Sequence, residues 1–304
     1  QQSKKRPREE EEEESSSSSE LQEKTKKRKR LPIAPSIHEF LAPGGYQLFQ
    51  PRQEWLSENP TVFGRDRDSA LHMAIHENAT DAALVLLKTK SLTVAANQRT
   101  WTPLLLATRR GNLTIVNALL DSGVDPSTTL NAGATAFLQA AHCGYLEILK
   151  LLHRMDADLI EQANSNWTTP LMRASQEGHL ETVKFLVAHG AAVNRQNHDQ
   201  MAALMFAAQR GHPQVCQVLI DHKADLNART NSRSTSLMLA CRRGHVECVK
   251  ILVAAGCELY VRNSRGKTVI EMAQRSPNHR DILLYLSPDV QVELMQRRAR
   301  NVRS

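Results

Sequence analysis

A short motif recurs along most of this 304-residue chain at a nearly constant interval. Successive copies of the pattern Thr-Pro-Leu-x-x-Ala start 33, 33, 34, 33, 33 and 33 residues apart. The seven copies start at Ser69, Thr102, Thr135, Thr169, Ala202, Thr235 and Thr268. The sixth position of the motif is alanine in every copy. Self-similarity at one fixed period predicts a repeat architecture, in which each unit covers the apolar face of its neighbour.

Each copy predicts two short helices. Thr102 with Pro103, and Thr169 with Pro170, combine a capping hydroxyl with a proline at the first helical position. Nine residues after the motif start, most copies have a glycine, which is typical of a helix that ends in the left-handed conformation. A second apolar helix follows. Because one pair of short helices cannot bury its own apolar stripe, the predicted fold class is all-α, an α-solenoid of stacked helix-turn-helix repeats with short hairpin loops.

Two copies depart from the common pattern. Ala202 lacks the capping hydroxyl, so we expect its helix start to be weaker by about 1 kcal/mol. The third interval has one extra residue, which we place between Ile160 and Thr169 in the projecting hairpin, where an insertion costs least. Neither departure interrupts the period.

The repeat resembles the ankyrin family, over about residues 67–288 and in seven copies. The resemblance depends on the 33-residue period of T-P-L-x-x-A, followed by G-H-x-E, L-L and G-A-D-x-N. The fourth copy matches best, with Thr169-Pro170-Leu171, Gly178-His179-Leu180-Glu181 and Gly190-Ala191-Ala192-Val193-Asn194. The motif histidine of the family is present only as His72. The resemblance implies a non-enzymatic module that binds a protein partner and needs no cofactor.

The resemblance also implies a binding surface, the concave groove formed by the hairpin tips and the exposed side of the first helices. Its positions lie just before each motif start and seven to eight residues after it. The predicted partner-binding residues are Arg99, Trp101, Arg109, Arg110, His142, Gln176, Met201, Arg210, Arg242, Arg243 and Arg275. Arginine outnumbers acidic residues there. Because guanidinium groups pair with carboxylates and phosphates in a planar fork, we expect an acidic or phosphorylated protein segment as the partner.

Charged segments flank the repeats. Residues 1–30 contain a glutamate run and a serine run, and Leu21 is their only large apolar side chain, which predicts a disordered tail. Short, dense basic blocks in such a tail are typical of nuclear import, so we expect a nuclear protein, with the cytoplasm as a second compartment. The predicted import residues are Lys26, Lys27, Arg28, Lys29 and Arg30. Residues 31–66 are interpreted as a capping or linker segment, and residues 289–304 as a basic C-terminal helix or tail.

Composition argues against several other classes of protein. The five cysteines form no CxxC pair, and none of the twelve histidines lies in a metal-binding signature, so neither a disulfide framework nor a metal site is expected. Apolar runs are far shorter than a membrane span. Cys143 adjoins His142, but adjacent helical residues point in different directions, which argues against a catalytic dyad. We expect a monomer without cofactor or membrane.

Two alternatives remain open. The net charge of +7 and the basic tails would also suit direct binding to nucleic acid or chromatin, although the repeats offer few aromatic residues for base stacking. The chain begins with Gln1, so upstream residues are expected, and it could be the substrate-recognition part of a longer enzyme.

Overall fold

The computed structural model describes residues 70–87, 101–129 and 133–287. Over these ranges the regular elements are helices, and an isolated bridge joins Arg262 to Thr268. The helices alternate between a first and a second helix of each repeat. The first helices are α1 (Ala70–His76), α3 (Pro103–Arg110), α5 (Ala136–Cys143), α7 (Pro170–Glu177), α9 (Ala203–Arg210), α11 (Ser236–Arg243) and α13 (Val269–Ala273). The second helices are α2 (Thr80–Leu87), α4 (Leu113–Asp121), α6 (Leu146–Met155), α8 (Leu180–Ala188), α10 (Pro213–Asp221), α12 (Val246–Ala255) and α14 (His279–Leu286).

Neighbouring repeats stack in chain order. The first helix α7 packs against α5 and α9, the first helices before and after it, and also against its own second helix α8. The second helices likewise pack against one another, as α10 does with α12. This arrangement is an α-solenoid, so the predicted fold class is confirmed. The predicted tail, linker and C-terminal segments lie outside the described residues.

Local signals start and end the first helices where the sequence predicts. Threonine hydroxyls accept the N3 backbone N–H in five repeats, at 3.2 Å for Thr102 and 3.1 Å for Thr135, for example. The C-terminal glycines have positive φ, from 72° at Gly111 to 85° at Gly244. In the first repeat Asn78 replaces this glycine and also adopts positive φ, 56°. The short range of these interactions explains why the sequence was sufficient to locate them.

The invariant motif alanine marks the closest approach between helices. None of the seven alanines has any exposed surface. They are Ala74, Ala107, Ala140, Ala174, Ala207, Ala240 and Ala273. A methyl group is the largest side chain that such a tightly packed position accepts without moving the backbone. The spacing of the solenoid therefore depends on this residue.

Histidine side chains join successive repeats. The Nε2 atoms of His179, His212 and His245 contact the backbone oxygens of residues 142, 176 and 209 at 2.9, 3.0 and 3.1 Å. A carbonyl oxygen only accepts, so each Nε2 carries the hydrogen. Each ring also covers the C-terminal glycine of the preceding first helix, as His212 covers Gly178. These bonds satisfy carbonyls that a helix leaves unpaired at its end.

A second set of bonds joins the loops that follow the second helices. The side-chain oxygen of Asn194 accepts the backbone N–H of Asp225 at 2.7 Å, and Asn227 does the same for Glu258 at 2.8 Å. In the third repeat Glu161 takes this role, accepting the N–H of Ala192 at 2.7 Å. Glu161 is one residue later in its repeat than the asparagines are in theirs.

The extra residue of the third interval is taken up before the hairpin. A 3₁₀ helix, Ala157–Glu161, follows α6. The hairpin residues Asn164 and Asn197 both precede their helix caps by five residues, so the hairpins of the fourth and fifth repeats have the same length. The prediction that the hairpin contains the insertion was therefore wrong. The 3₁₀ helix buries Leu159 and Ile160, so the longer loop contributes apolar packing.

Restoring the missing cap should stabilise the fifth repeat. The N-cap residue Ala202 has extended backbone geometry and makes no side-chain capping bond. Ala202→Thr is expected to raise the free energy of unfolding by about 1 kcal/mol, because threonine supplies the absent acceptor. Urea denaturation followed by circular dichroism measures the change. The reciprocal variant Thr235→Ala should lose a similar amount, and an Ala202→Thr protein no more stable than the parent would contradict the capping argument.

Four cysteines belong to the core. Cys216, Cys241, Cys248 and Cys257 are buried, and the five described cysteines are free thiols. Burial, together with Cys257, raises the pKa of Cys241 to about 12. A hydrogen bond with Cys248 and burial raise the pKa of Cys216 well above the ordinary range. The two groups are therefore poor nucleophiles at neutral pH.

Candidate partner-binding groove

Hairpins that precede the first helices project in a regular row. Backbone bonds close them, from Asn197 N–H to Met201 at 3.1 Å and from Asn263 N–H to Lys267 at 3.0 Å, for example. Adjacent tips are bonded to each other as well, with the Ser264 N–H 2.9 Å from the Ser232 oxygen. We call the surface formed by these hairpins and the exposed side of the first helices the groove surface. Its backbone bonding makes it a rigid platform.

The N-terminal end of the groove surface carries two exposed arginines. Arg109 and Arg110 end α3, and the Arg109 guanidinium lies over the Trp101 ring with its Cζ 4.9 Å from the ring centroid. The backbone oxygen of Trp101 contacts Nε2 of the buried His72 at 2.8 Å. This arrangement places Trp101 on the hairpin side of α3 with a cation stacked on it. An exposed guanidinium stacked on an aromatic ring is suited to binding an anionic group.

The C-terminal end of the groove surface contains a cationic cavity of about 230 Å³. It lies between the sixth and seventh repeats, and Arg242 of α11, Arg275 just beyond α13, and the hairpin residues Arg265 and Lys267 line it. Two of the predicted binding residues, Arg242 and Arg275, are thus brought to one cavity. Arg243 is exposed beside Arg242.

Basic residues at the two ends are not neutralised by neighbours. Within the part of the chain that the structure describes, the ion pairs involve other residues. The predicted groove cations without an ion pair there are Arg109, Arg110, Arg210, Arg242, Arg243 and Arg275. Their full charge is available to a ligand.

The middle of the groove surface is less basic. His142 Nδ1 lies 3.6 Å from the Glu177 carboxylate, and together with Arg173 it lines a second recess between the third and fourth repeats. Burial lowers the pKa of His142, the Glu177 carboxylate opposes this, and Arg173 adds to the lowering. His142 is therefore uncharged at neutral pH. Gln176 is half-buried and its side-chain oxygen accepts a hydrogen bond from Arg173 at 3.4 Å.

The remaining predicted residues occupy varied environments. Met201 is half-buried at the base of its hairpin, and Arg210 is exposed at the end of α9. Trp167 is 55% exposed, with positive φ of 59°, and its ring lies 5.5 Å from that of His198. This ring contact joins Trp167 to the neighbouring hairpin. Arg99 and the predicted import residues 26–30 lie outside the described residues.

Sequence reasoning missed Arg173 as a groove residue. It is the fifth residue of the fourth motif, one helical turn before the predicted positions, and its side chain lines the same recess as His142. Helical periodicity provides the signal, since positions three apart share a face. Sequence reasoning also gave no role to the histidines that follow the glycines, although their repeat register identifies them.

The described residues show no cluster typical of metal binding. Across 70–87, 101–129 and 133–287, no three His, Cys, Asp or Glu side chains are grouped so that they could hold a metal ion. The same ranges contain no helix that is both long enough and apolar enough to cross a membrane. Fold and surface together define a helical-repeat module with a cationic groove.

Comparison with known proteins identifies the family. A family model for ankyrin repeats, described as three copies, matches residues 46–130, 137–230 and 204–296, and a second ankyrin-repeat model matches 110–153. The chain therefore belongs to the ankyrin-repeat family. The crystal structure of the human ASB11 ankyrin repeat domain covers 73% of this chain and 99% of its own, with a TM-score of 0.66 and 22% sequence identity. That likeness agrees with the predicted fold.

Curated relatives match shorter stretches. The B-cell lymphoma 3 protein homolog of Mus musculus is 28% identical over 48% of this chain and 34% of its own length. The ankyrin repeat and KH domain-containing protein mask of Drosophila melanogaster is 33% identical over 53% of this chain and 4% of its own length. The glycerophosphocholine phosphodiesterase gde1 of Schizosaccharomyces pombe is 30% identical over 41% of this chain and 11% of its own length. The chain thus spans about a third or less of these relatives.

Proposed function

We propose that this protein is a non-enzymatic adaptor that binds an acidic or phosphorylated segment of a protein partner on its groove surface, in the nucleus. Ankyrin repeats generally mediate protein–protein interaction, and this supports the class of function. The observation that carries the finer proposal is the set of arginines without ion pairs at both ends of the groove surface. An acidic segment would supply the missing counter-charges.

The rigidity of the groove surface supports tight binding. Backbone bonds within and between hairpins hold the tips in place before a partner arrives, as between Asn231 N–H and Asp199 at 3.1 Å. A preorganised surface loses little conformational entropy on association, so more of the electrostatic attraction appears as affinity. The cationic ends would also steer an acidic partner and raise the association rate at low salt.

The basic block at residues 26–30 supports nuclear import. Five consecutive basic side chains in a segment poor in apolar residues would allow an acidic receptor groove to pair each charge in turn. Replacing the block with alanine and following a fluorescent fusion in cells tests this part. Nuclear accumulation that survives the replacement would contradict it.

Charge reversal tests the groove assignment. Arg109, Arg110, Arg242 and Arg243→Glu should weaken capture of a polyglutamate-containing peptide by about 100-fold, since four attractive contacts become repulsive. Surface plasmon resonance measures affinity, and circular dichroism checks that helicity is unchanged.

The matched control places the same charge change outside the groove surface. Lys150, Lys184 and Lys250 lie on second helices, paired with glutamates three residues earlier, and Lys223 follows α10. Reversing these four to glutamate should change peptide affinity by less than about threefold beyond the general effect of net charge. Equal losses of peptide affinity in both quadruple variants would mean that net charge alone explains the loss, which would contradict the groove assignment.

A further inference from the structure

The cavity between the sixth and seventh repeats has the chemistry of a phosphate site. We propose that it binds the phosphate group of a phosphorylated serine or threonine in the protein segment that the groove surface captures, an inference that rests on the proposed function. Four cationic residues and three serines line the space of about 230 Å³. The cations are Arg242, Arg265, Lys267 and Arg275, and the serines are Ser232, Ser234 and Ser264.

No carboxylate lines this cavity. Within the described ranges, none of its four cations forms an ion pair. The acidic residue nearest in sequence, Glu271, is engaged at the start of α13, where its carboxylate accepts the Thr268 N–H at 2.6 Å and the Thr268 hydroxyl at 3.0 Å. Those bonds lower the pKa of Glu271, and the charges of Arg262 and Lys267 add to the lowering. Because four cations line the cavity without a carboxylate among them, a bound dianion would reduce the repulsion between them.

Small hairpin residues create the space. Ser234 immediately precedes its motif start, a register occupied by Trp101 and Met201 in other repeats. Ser232 and Ser234 hydroxyls lie 3.1 Å apart, and Thr230 is 2.9 Å from Ser232, so the hairpin presents a chain of hydroxyls. A hydroxyl rotates to donate toward an anion. A larger residue at 234 would fill the cavity and remove these donors.

A phosphate group suits this site better than a single carboxylate. A phosphorylated side chain carries about −1.5 to −2 charge and three strong acceptor oxygens near neutral pH. Three guanidinium groups and one ammonium supply more donors than one carboxylate can accept, and each guanidinium offers two parallel bonds to neighbouring oxygens. The dianion therefore matches both the charge and the number of donors.

The source of the phosphate is a protein segment and not a nucleic acid. Binding to single-stranded nucleic acid combines a basic track with aromatic side chains on which bases stack. No aromatic side chain lines this cavity. The exposed Trp167 belongs to the hairpin of the fourth repeat, two repeats earlier. One open cationic cavity of about 230 Å³ fits a single phosphorylated side chain.

Inorganic phosphate provides the first test. Titration into the ¹⁵N-labelled full chain, at ionic strength held constant with chloride, should give saturable shifts of the Ser232, Ser264 and Lys267 amides. The double variant Arg265→Gln/Arg275→Gln should weaken this binding at least tenfold. Arg109→Gln/Arg110→Gln, which removes the same charge at the other end of the groove surface, should leave it within twofold. Absence of saturation, an adventitious ion only, or equal loss in both variants would overturn the proposal.

Peptide pools provide the second test and show whether the bound phosphate belongs to a protein segment. Degenerate nonapeptide pools carry phosphoserine, glutamate or serine at the central position, and fluorescence anisotropy measures their binding to the full chain. The phosphoserine pool should bind at least tenfold more tightly than the glutamate pool, and Arg265→Gln/Arg275→Gln should abolish that difference. Equal binding of the phosphoserine and glutamate pools, or equal competition by an oligothymidylate, would overturn the phosphate site and leave the proposed function standing. If inorganic phosphate shifts the cavity amides but no peptide pool binds, the proposed function fails. The inference that the phosphate belongs to a protein segment then fails as well.

Discussion

Gly178→Ala is expected to lower the free energy of unfolding by about 3 kcal/mol, from backbone strain and a lost hydrogen bond together. Gly178 ends α7 with φ of 81°, where an L-residue is strained. An added Cβ would also collide with the His212 ring. Moving that ring breaks its 3.0 Å bond to the Gln176 oxygen and leaves a carbonyl at a helix end without its partner. Urea denaturation of the full chain measures the loss.

Gly190→Ala is the matched control for this prediction. Gly190 has a similar positive φ of 92°, but an added Cβ would meet nothing within 4 Å. Only the backbone strain remains, so we expect a loss of about 1 kcal/mol. Removing the ring with His212→Ala in the Gly178→Ala background should recover part of the difference, because the collision disappears. Equal losses for Gly178→Ala and Gly190→Ala would contradict the role assigned to the histidine.

Ala207→Leu should destabilise the solenoid by about 3 kcal/mol or more. Ala207 is fully buried in α9, which packs against α7 on one side and α11 on the other. Three further carbon atoms at this position force the first helices apart, and neighbouring repeats lose their shared surface. Thermal and urea denaturation measure the effect, and a broadened transition is expected because stacked repeats unfold separately once an interface is weakened.

Arg210→Leu controls for the chemistry of the new side chain. Arg210 is on the same helix but exposed at its end, so the same leucine should change stability by less than about 0.5 kcal/mol. If Ala207→Leu were tolerated equally well, the conclusion that this alanine sets the helix spacing would be wrong.

Local interactions explain how much of the fold could be predicted. The hydroxyl of Thr102 bonds a group only three residues away, and the left-handed turn at Asn78 depends on that residue itself. Such signals depend on a few consecutive residues. Their recurrence every 33 residues then required stacking, since no single helix pair buries its apolar stripe. The extra residue was placed in the wrong loop because a 3₁₀ helix and a longer hairpin have the same length in sequence.

The candidate site was predicted as a set of positions and not as an arrangement. His142 and Glu177 are 35 residues apart, and their side chains lie 3.6 Å apart because the third and fourth repeats stack on each other. Arg242 and Arg265 share a cavity across two repeats. These relations depend on how far one repeat is shifted and rotated relative to the next, which no local pattern specifies.

The amino-acid sequence by itself determined the helices, their caps, the buried alanine and the family, because each depends on contacts within a few residues or on the period. The tertiary structure alone decided which arginines remain without ion pairs and where a cationic cavity opens. Those properties arise from side chains about one period apart, and packing brings them together only when the repeats are stacked.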